Sequence, residues 1–387
     1  MRTYKFRIYP TKEEQEKLFM TLNNCRFVYN NLLEYMNKQE QVNRNDVQHQ
    51  IVELKNKYPI LKNTHSKVLQ YENYRIFSSI KGLSKSKKNG NKIGRLRFKS
   101  RNRFSSFNYN QSGFKLIQKD SRYNILHLSK IGDIKIRQHR DVIGNIKQIQ
   151  IKLKPTGWYS YIITDGKYEC KNINKNQIGI DMGILSFITT SNKQVIRNPL
   201  FMNQQLQKIK TLSKKLSRTK KRSNNRKKVI FKLLRLWEKI TNQKQDYFHK
   251  ITTELVKNNN WICMEDLDIK NMSDKKGKNR YRNMRNILDS SWAIFTKMLK
   301  IKVSSTESEL LFVNPKNTSK ICSNCGNIKQ DLKLSDRTYN CSCCGISLDR
   351  DYNASINIYR RGKELALLGE KSSDFLMNQE APSFMVG

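Results

Sequence analysis

The sequence repeats one five-residue unit, "CSNCG" at 322–326 and "CSCCG" at 341–345, each reading Cys-Ser-x-Cys-Gly. Two thiolates spaced this way grip one face of a tetrahedral ion, and the glycine lets the backbone turn so that its amides approach the sulfurs. The repeat selects Cys322, Cys325, Cys341 and Cys344 as ligands and leaves Cys343 as a bystander. The pattern reads as a structural Zn²⁺ site, with an iron–sulfur centre or a redox dithiol as the alternatives, and a four-thiolate site is coordinatively closed. Such a module stiffens a fold without doing chemistry, and any reaction must be carried by other residues. Cys25, Cys170 and Cys263 are scattered and read as structural.

Composition names the class of partner. Lys and Arg number 75 against 32 Asp and Glu, a formal charge of +43 spread along 387 residues. The most economical polyanion is nucleic acid. No apolar run is long enough to span a bilayer, and the start "MRTYKFRIYP" alternates like a strand rather than forming an apolar signal segment. The expectation is a soluble cytoplasmic protein, nucleoid-associated when bound to DNA, with no membrane partner. The length suggests two or three domains.

Tyr4, Phe6 and Ile8 alternate with Lys5 and Arg7 in a first strand that Pro10 ends. Thr11 and Glu14 have capping-box spacing, and Leu18, Leu22, Cys25, Tyr29, Leu32 and Met36 mark one helical stripe. Val47, Ile51 and Leu54 predict a second helix, and Leu69, Ile76 and Ile80 a third ending near Gly82. "SKSKKNGNK" at 84–92 reads as a linker before β-structure over 93–165, clearest in the hairpin "IQIKLKPTGWYSYIITDG". Strands follow at "QIGIDMG" and 185–190, then a helical region over 201–256, a buried strand at "NNNWICMEDLDI" and a helix at "SSWAIFTKMLKIKV". The last residues, from 368, lack periodicity and read as a mobile tail.

Within the helical region, "KKLSRTKKRSNNRKK" carries Lys214, Lys215, Arg218, Lys220, Lys221, Arg222, Arg226, Lys227 and Lys228 and no acid. It is either a solvated hairpin tip or a phosphate contact, and its charge density favours the second. Asp181 and Glu265 each end an apolar strand, where a carboxylate is costly to bury unless a cation or hydrogen bonds receive it. Asp351 follows the second knuckle at a helix start, with Asp349 as its rival. Three such oxygen donors from two strands and one helix would hold two Mg²⁺ or Mn²⁺ ions for phosphodiester hydrolysis.

"GIDMG", "MEDLDIKNM", the knuckle pair and "LDRDYNASINI", in that order, resemble the TnpB (OrfB) family of insertion-sequence proteins, relatives of type V CRISPR effectors. "YKFRIYPTKEEQEKL", "CRFVYNNLLEYM" and "RLRFKSR" extend the resemblance over nearly the whole chain to about 362. It implies a multidomain α+β RNA-guided DNA endonuclease whose catalytic acids match Asp181, Glu265 and Asp351. The implied order is a β-barrel wedge domain (1–10 and 93–170) carrying a helical recognition insertion (11–92), then a RuvC-like, RNase H-type α/β nuclease domain (171–317) containing the basic hairpin region (201–256). A zinc ribbon (318–346) interrupts it before the final RuvC-like segment (347–367). The implied partners are a guide RNA transcribed from its own element and target DNA beside a short motif, and the oligomeric state stays open. Ser355 where alanine is commoner, Lys244 near an expected arginine, and the extra Cys343 depart from the pattern without touching an acid. Phe98, Phe104, Phe107 and Tyr109 read as barrel core before nucleic-acid contacts. The rival functions are a transposase using the same acids for strand transfer and a non-catalytic nucleic-acid-binding regulator.

Overall fold

In a computed structural model of the chain, the structure describes residues 1–39, 41–119, 122–166, 176–267, 291–333 and 335–367. Cys170, the end of "MEDLDIKNM" from 268 and the tail from 368 lie outside the described residues. The chain divides into two compact units, the first within Met1–Lys167 and the second within Tyr168–Glu380.

The first unit is built on β1 (Arg2–Tyr9), whose Tyr4, Phe6 and Ile8 are buried as their alternation requires. Six more strands complete an antiparallel sheet of order β2-β6-β7-β1-β5-β4-β3: β2 (Ser106–Asn110), β3 (Phe114–Ile117), β4 (Asn124–Leu128), β5 (Gly132–Arg137), β6 (Ile146–Lys154) and β7 (Gly157–Thr164). The hairpin closes on Lys154 paired with Gly157, leaving Pro155 and Thr156 as the turn. The sheet curls far enough that the Tyr109 hydroxyl on edge strand β2 donates to the Ser129 carbonyl in the β4–β5 turn at 2.7 Å.

Three helices interrupt the sheet between β1 and β2: α1 (Lys12–Asn37), α2 (Arg44–Lys57) and α3 (Ser66–Lys88). Thr11 and Glu14 form the expected capping box. The apolar stripes of the helices join the sheet in one core with Cys25, Phe104, Phe107 and Tyr109, whereas Phe98 is exposed. Three expectations fail here, the first being Phe98, which lies in the ladder-free stretch before β2 and is not core. Helix α3 continues past Gly82 through Lys88, since Ser and Lys carry no helix-breaking chemistry and Asn89-Gly90 supplies the stop. β-structure starts at Ser106 instead of 93 because the intervening residues make no ladder.

The second unit is a five-stranded sheet of order β10-β9-β8-β11-β12. β8 (Asn176–Asp181), β11 (Asn259–Glu265) and β12 (Glu309–Val313) run parallel, while β9 (Ser186–Thr190) and β10 (Val195–Arg197) are antiparallel neighbours. After a one-turn helix α4 (Phe201–Gln204), helices α5 (Leu206–Arg218) and α6 (Asn224–Asn258) form the hairpin, followed in the described residues by α7 (Trp292–Val303). Alternation sorts the two faces. Ile178, Ile180, Ile262 and Met264 pack with Phe248, Leu255, Phe295 and Leu299 of α6 and α7, while Cys263 turns to the opposite face and meets Ile358 of α8 (Arg350–Leu367).

Two glycines permit this last contact. A Cβ on Gly179 would overlap the Ser355 carbonyl oxygen and lie 2.6 Å from Tyr359 N, and one on Gly362 would overlap Cys263 Sγ. Gly179→Ala should therefore destabilise the second unit by about 1–3 kcal/mol, as overpacking does. Gly94→Ala, with open space around it, should change little. Thermal unfolding of both variants checks this, and equal melting temperatures would remove α8's close approach as the reason for glycine.

Candidate active site and metal centre

The two faces of the sheet decide where the acids point. Asp181 lies two residues after Gly179 and Glu265 two after Cys263, so both share the face that α8 covers. Met264 pairs with Ile180, which sets Asp181 and Glu265 side by side at the carboxyl ends of adjacent parallel strands. Asp351 enters in the first turn of α8, with Oδ2 4.0 Å from the position a Cβ would take on Gly183. The rival Asp349 accepts from the Tyr352 backbone N–H at 2.9 Å and caps α8.

The three carboxylates are partly buried and electrostatically linked. Burial, then the nearby Glu265 and Asp351, hold the Asp181 carboxyl well above the usual range. Burial raises Glu265 against the opposing Thr318 hydroxyl and Arg361, and raises Asp351 together with Asp349 against Arg337 and Arg350. Three acids that resist ionising beside one another fit a site that receives divalent cations. Thr318 Oγ1 donates to Glu265 Oε1 at 2.5 Å.

The cysteine repeat folds as two equivalent knuckles. Cys322 N donates to Asn327 O and Gly326 N to Cys322 O; in the second knuckle Cys341 N donates to Ile346 O and Gly345 N to Cys341 O. Gly326 and Gly345 take left-handed φ values of 78° and 70°, which favour glycine. Cys322 and Cys344 sulfurs stand 3.7 Å apart, and Cys325 and Cys341 sulfurs 3.5 Å apart. These lie near the ~3.8 Å edge of a tetrahedron with ~2.3 Å zinc–sulfur bonds. Backbone amides of Cys344 and Cys343 lower the Cys341 thiol. Asn324 and the Ile346 amide bring Cys344 down to about 6, while, against the Asn327 backbone, desolvation and the neighbouring thiols push Cys325 up to about 12. Among the described residues, these four cysteines are the one group of three or more ligating side chains whose ligand atoms all lie within 4.8 Å of one another. Cys343 is exposed and outside it.

The hairpin cations separate into two kinds. Lys214, Lys215, Arg218, Lys220, Lys221, Arg222, Lys227 and Lys228 are exposed. Arg226 is half-buried, and its Nη1 donates to the Leu216 carbonyl at 2.8 Å, so it holds the end of α5. Thr318, Asn353 and Asn357 were not reached from the sequence. The available signal was two asparagines four residues apart inside a helix, where asparagine is a poor former without a specific partner.

Three family profiles match in chain order. The OrfB_IS605 "Helix-turn-helix domain" covers residues 1–44, which here hold β1, α1 and the first residue of α2. The OrfB_IS605 family described as "Probable transposase" covers 158–276, and the "Cas12f1-like, TNB domain" covers 292–358. The chain is 29% identical to "Putative RNA-guided DNA endonuclease InsQ" of Escherichia coli K12, over 100% of this chain and 98% of that protein. It is 27% identical to "Putative RNA-guided DNA endonuclease" of Streptomyces pristinaespiralis, over 95% and 91% respectively. The "TnpB-like protein MJ0012" of Methanocaldococcus jannaschii is 35% identical over 34% of this chain and 60% of its own length. The fold resembles the chain solved in "Cryo-EM structure of the Cas12f1-sgRNA-target DNA complex", with a TM-score of 0.57, 18% identity, and coverage of 90% of this chain and 83% of that one. In this order the chain carries matches to two OrfB_IS605 domains and a Cas12f1-like TNB domain, and over 95% or more of its length it is similar to proteins named putative RNA-guided DNA endonucleases.

Proposed function

We propose that the chain is an RNA-guided DNA endonuclease in which Asp181, Glu265 and Asp351 hold Mg²⁺ or Mn²⁺ and Cys322, Cys325, Cys341 and Cys344 hold a structural Zn²⁺. The observation that carries this reading is the convergence of three carboxylates on one sheet face, each raised by burial and Asp181 also by the other two. The names of the full-length relatives support the choice of reaction. The second unit is the RuvC-like nuclease domain, with the ribbon lodged between β12 and α8. The first unit is the barrel-like wedge with its helical recognition insertion, an assignment supported by the curl of its sheet.

Bound divalent ions would supply activation of water and stabilisation of the leaving oxygen. The protein's own residues do the positioning. The strand ends fix Asp181 and Glu265, the α8 entrance brings Asp351 to them, and the capping by Asp349 holds that entrance. The exposed hairpin cations meet phosphates of guide RNA or target DNA through charge, which suits recognition by backbone rather than base. The description "Probable transposase" favours strand transfer as the second reading. Joined rather than free DNA ends would identify it.

Purified protein carrying its co-transcribed RNA should cut matched DNA in Mg²⁺ and stop cutting in EDTA. Asp181→Ala, Glu265→Ala and Asp351→Ala should each lower the rate by on the order of 10³-fold or more while target binding persists, and double variants should be scarcely worse than singles. Asp349→Ala should cost less. Wild-type cutting by Glu265→Ala would sink the assignment. Cys325→Ser or Cys344→Ser should release the zinc, measured by plasma mass spectrometry, whereas Cys343→Ser should retain it. Equal zinc loss from Cys343→Ser would overturn the ligand choice.

A further inference from the structure

Glu265 is held by a residue that belongs to the approach to the first cysteine knuckle. Thr318 is buried, and its hydroxyl proton goes to Glu265 Oε1, the nearer of two acceptors; the Pro315 carbonyl oxygen is 3.1 Å away. A β-branched side chain has few χ1 choices, so the hydroxyl direction follows the backbone. That backbone is clamped by α8. The Asn357 amide donates to the carbonyls of Thr318 (2.9 Å) and Ile321 (2.7 Å), using both its protons.

Asn353, one turn nearer Asp351, completes the clamp. Its amide donates to Ile321 O at 2.8 Å, and its Oδ1 accepts from Ser323 N at 2.9 Å. Arg360 also donates to the Ser323 carbonyl. Asn353, Asn357 and Ser323 are all buried, so each of these bonds is expensive to leave unmade. One polar network thus runs from Glu265 on β11 through Thr318 to the knuckle that begins at Cys322, and from there into the helix that carries Asp351.

We propose that Thr318 is a positioning residue: its hydroxyl fixes the orientation of the Glu265 carboxylate, and the Asn353–Asn357 clamp ties that orientation to the first knuckle and to the pose of α8. The proposal rests on the reading that these acids hold divalent ions. A hydrogen bond to one oxygen of a ligating carboxylate sets the plane in which the group meets a cation, and loss of such a partner commonly weakens metal affinity by ~10–100-fold. Thr318 does not touch the reacting atoms itself.

The test uses Mn²⁺ alone as probe, with the full chain and electron paramagnetic resonance of the free ion to measure affinity. Zinc content and melting temperature are recorded for each variant. Thr318→Val removes the hydroxyl and keeps the shape; Thr318→Ser keeps the hydroxyl; Glu265→Gln reports whether the acids bind Mn²⁺ at all. The expected pattern is weakening by about tenfold or more in Thr318→Val, near-wild-type affinity in Thr318→Ser, loss in Glu265→Gln, and retained zinc throughout. Wild-type affinity in Thr318→Val with loss in Glu265→Gln overturns the positioning role and leaves the carboxylate site standing. Unchanged affinity in Glu265→Gln overturns the carboxylate reading itself. Equal weakening in Val and Ser variants, or zinc loss in Thr318→Val, makes Thr318 a packing residue of the knuckle.

Discussion

Everything at the carboxylate site depends on how closely α8 lies against β8 and β11. Asp351 is separated from Asp181 by 170 residues of sequence and from Glu265 by 86. Neither local propensity nor hairpin geometry can bring it back. What does is a backbone contact: Gly179 offers no side chain where the Ser355 carbonyl passes, and Gly362 makes room for Cys263. The same alternation that turns Gly179 and Cys263 toward the helix turns Asp181 and Glu265 toward its first turn. Close packing and acid placement are therefore one geometric fact read at two positions along each strand.

The ribbon between β12 and α8 has too little core to stand alone. Its buried apolar cluster is Cys322, Tyr339 and Cys341, with Leu332 and Ile346 packed against it. A segment this small needs a metal or an external partner to offset its chain entropy. It has a prospective metal site in the four thiols and an external partner in the two asparagines of α8. The polar clamp also explains why asparagine is tolerated twice inside that helix: the amides serve carbonyls of the neighbouring segment, which outweighs their intrinsic cost.

Much of this was legible because it is periodic or punctuated. Tyr4, Phe6 and Ile8 alternate; Thr11 and Glu14 cap; the five-residue unit repeats; Asp181 and Glu265 interrupt apolar runs. Strand β12, "ELLFV", went unread because five apolar-rich residues after a helix have no period of their own, and only pairing with β11 makes them a strand. Strand β10 is only three residues, too short for any period, and exists through its pairing with β9. The end of α3 is not marked at Gly82, because the serines and lysines after it are compatible with a helix as far as Lys88. Spacing leaves Asp349 beside Asp351 at the helix start, and no local pattern shows that Asp349 accepts the Tyr352 backbone N–H. The bond between Thr318 and Glu265 crosses 53 residues, and no local pattern announces it.

The central claim is that the docked helix completes a divalent-ion site while the cysteines hold a different metal for structure. Anomalous diffraction from Mn²⁺-soaked crystals of the zinc-loaded protein, collected at both absorption edges, tests it most directly. The account predicts manganese density among Asp181, Glu265 and Asp351, with zinc density enclosed by Cys322, Cys325, Cys341 and Cys344. Manganese bound elsewhere while Asp351 faces away from the two strand ends would contradict it.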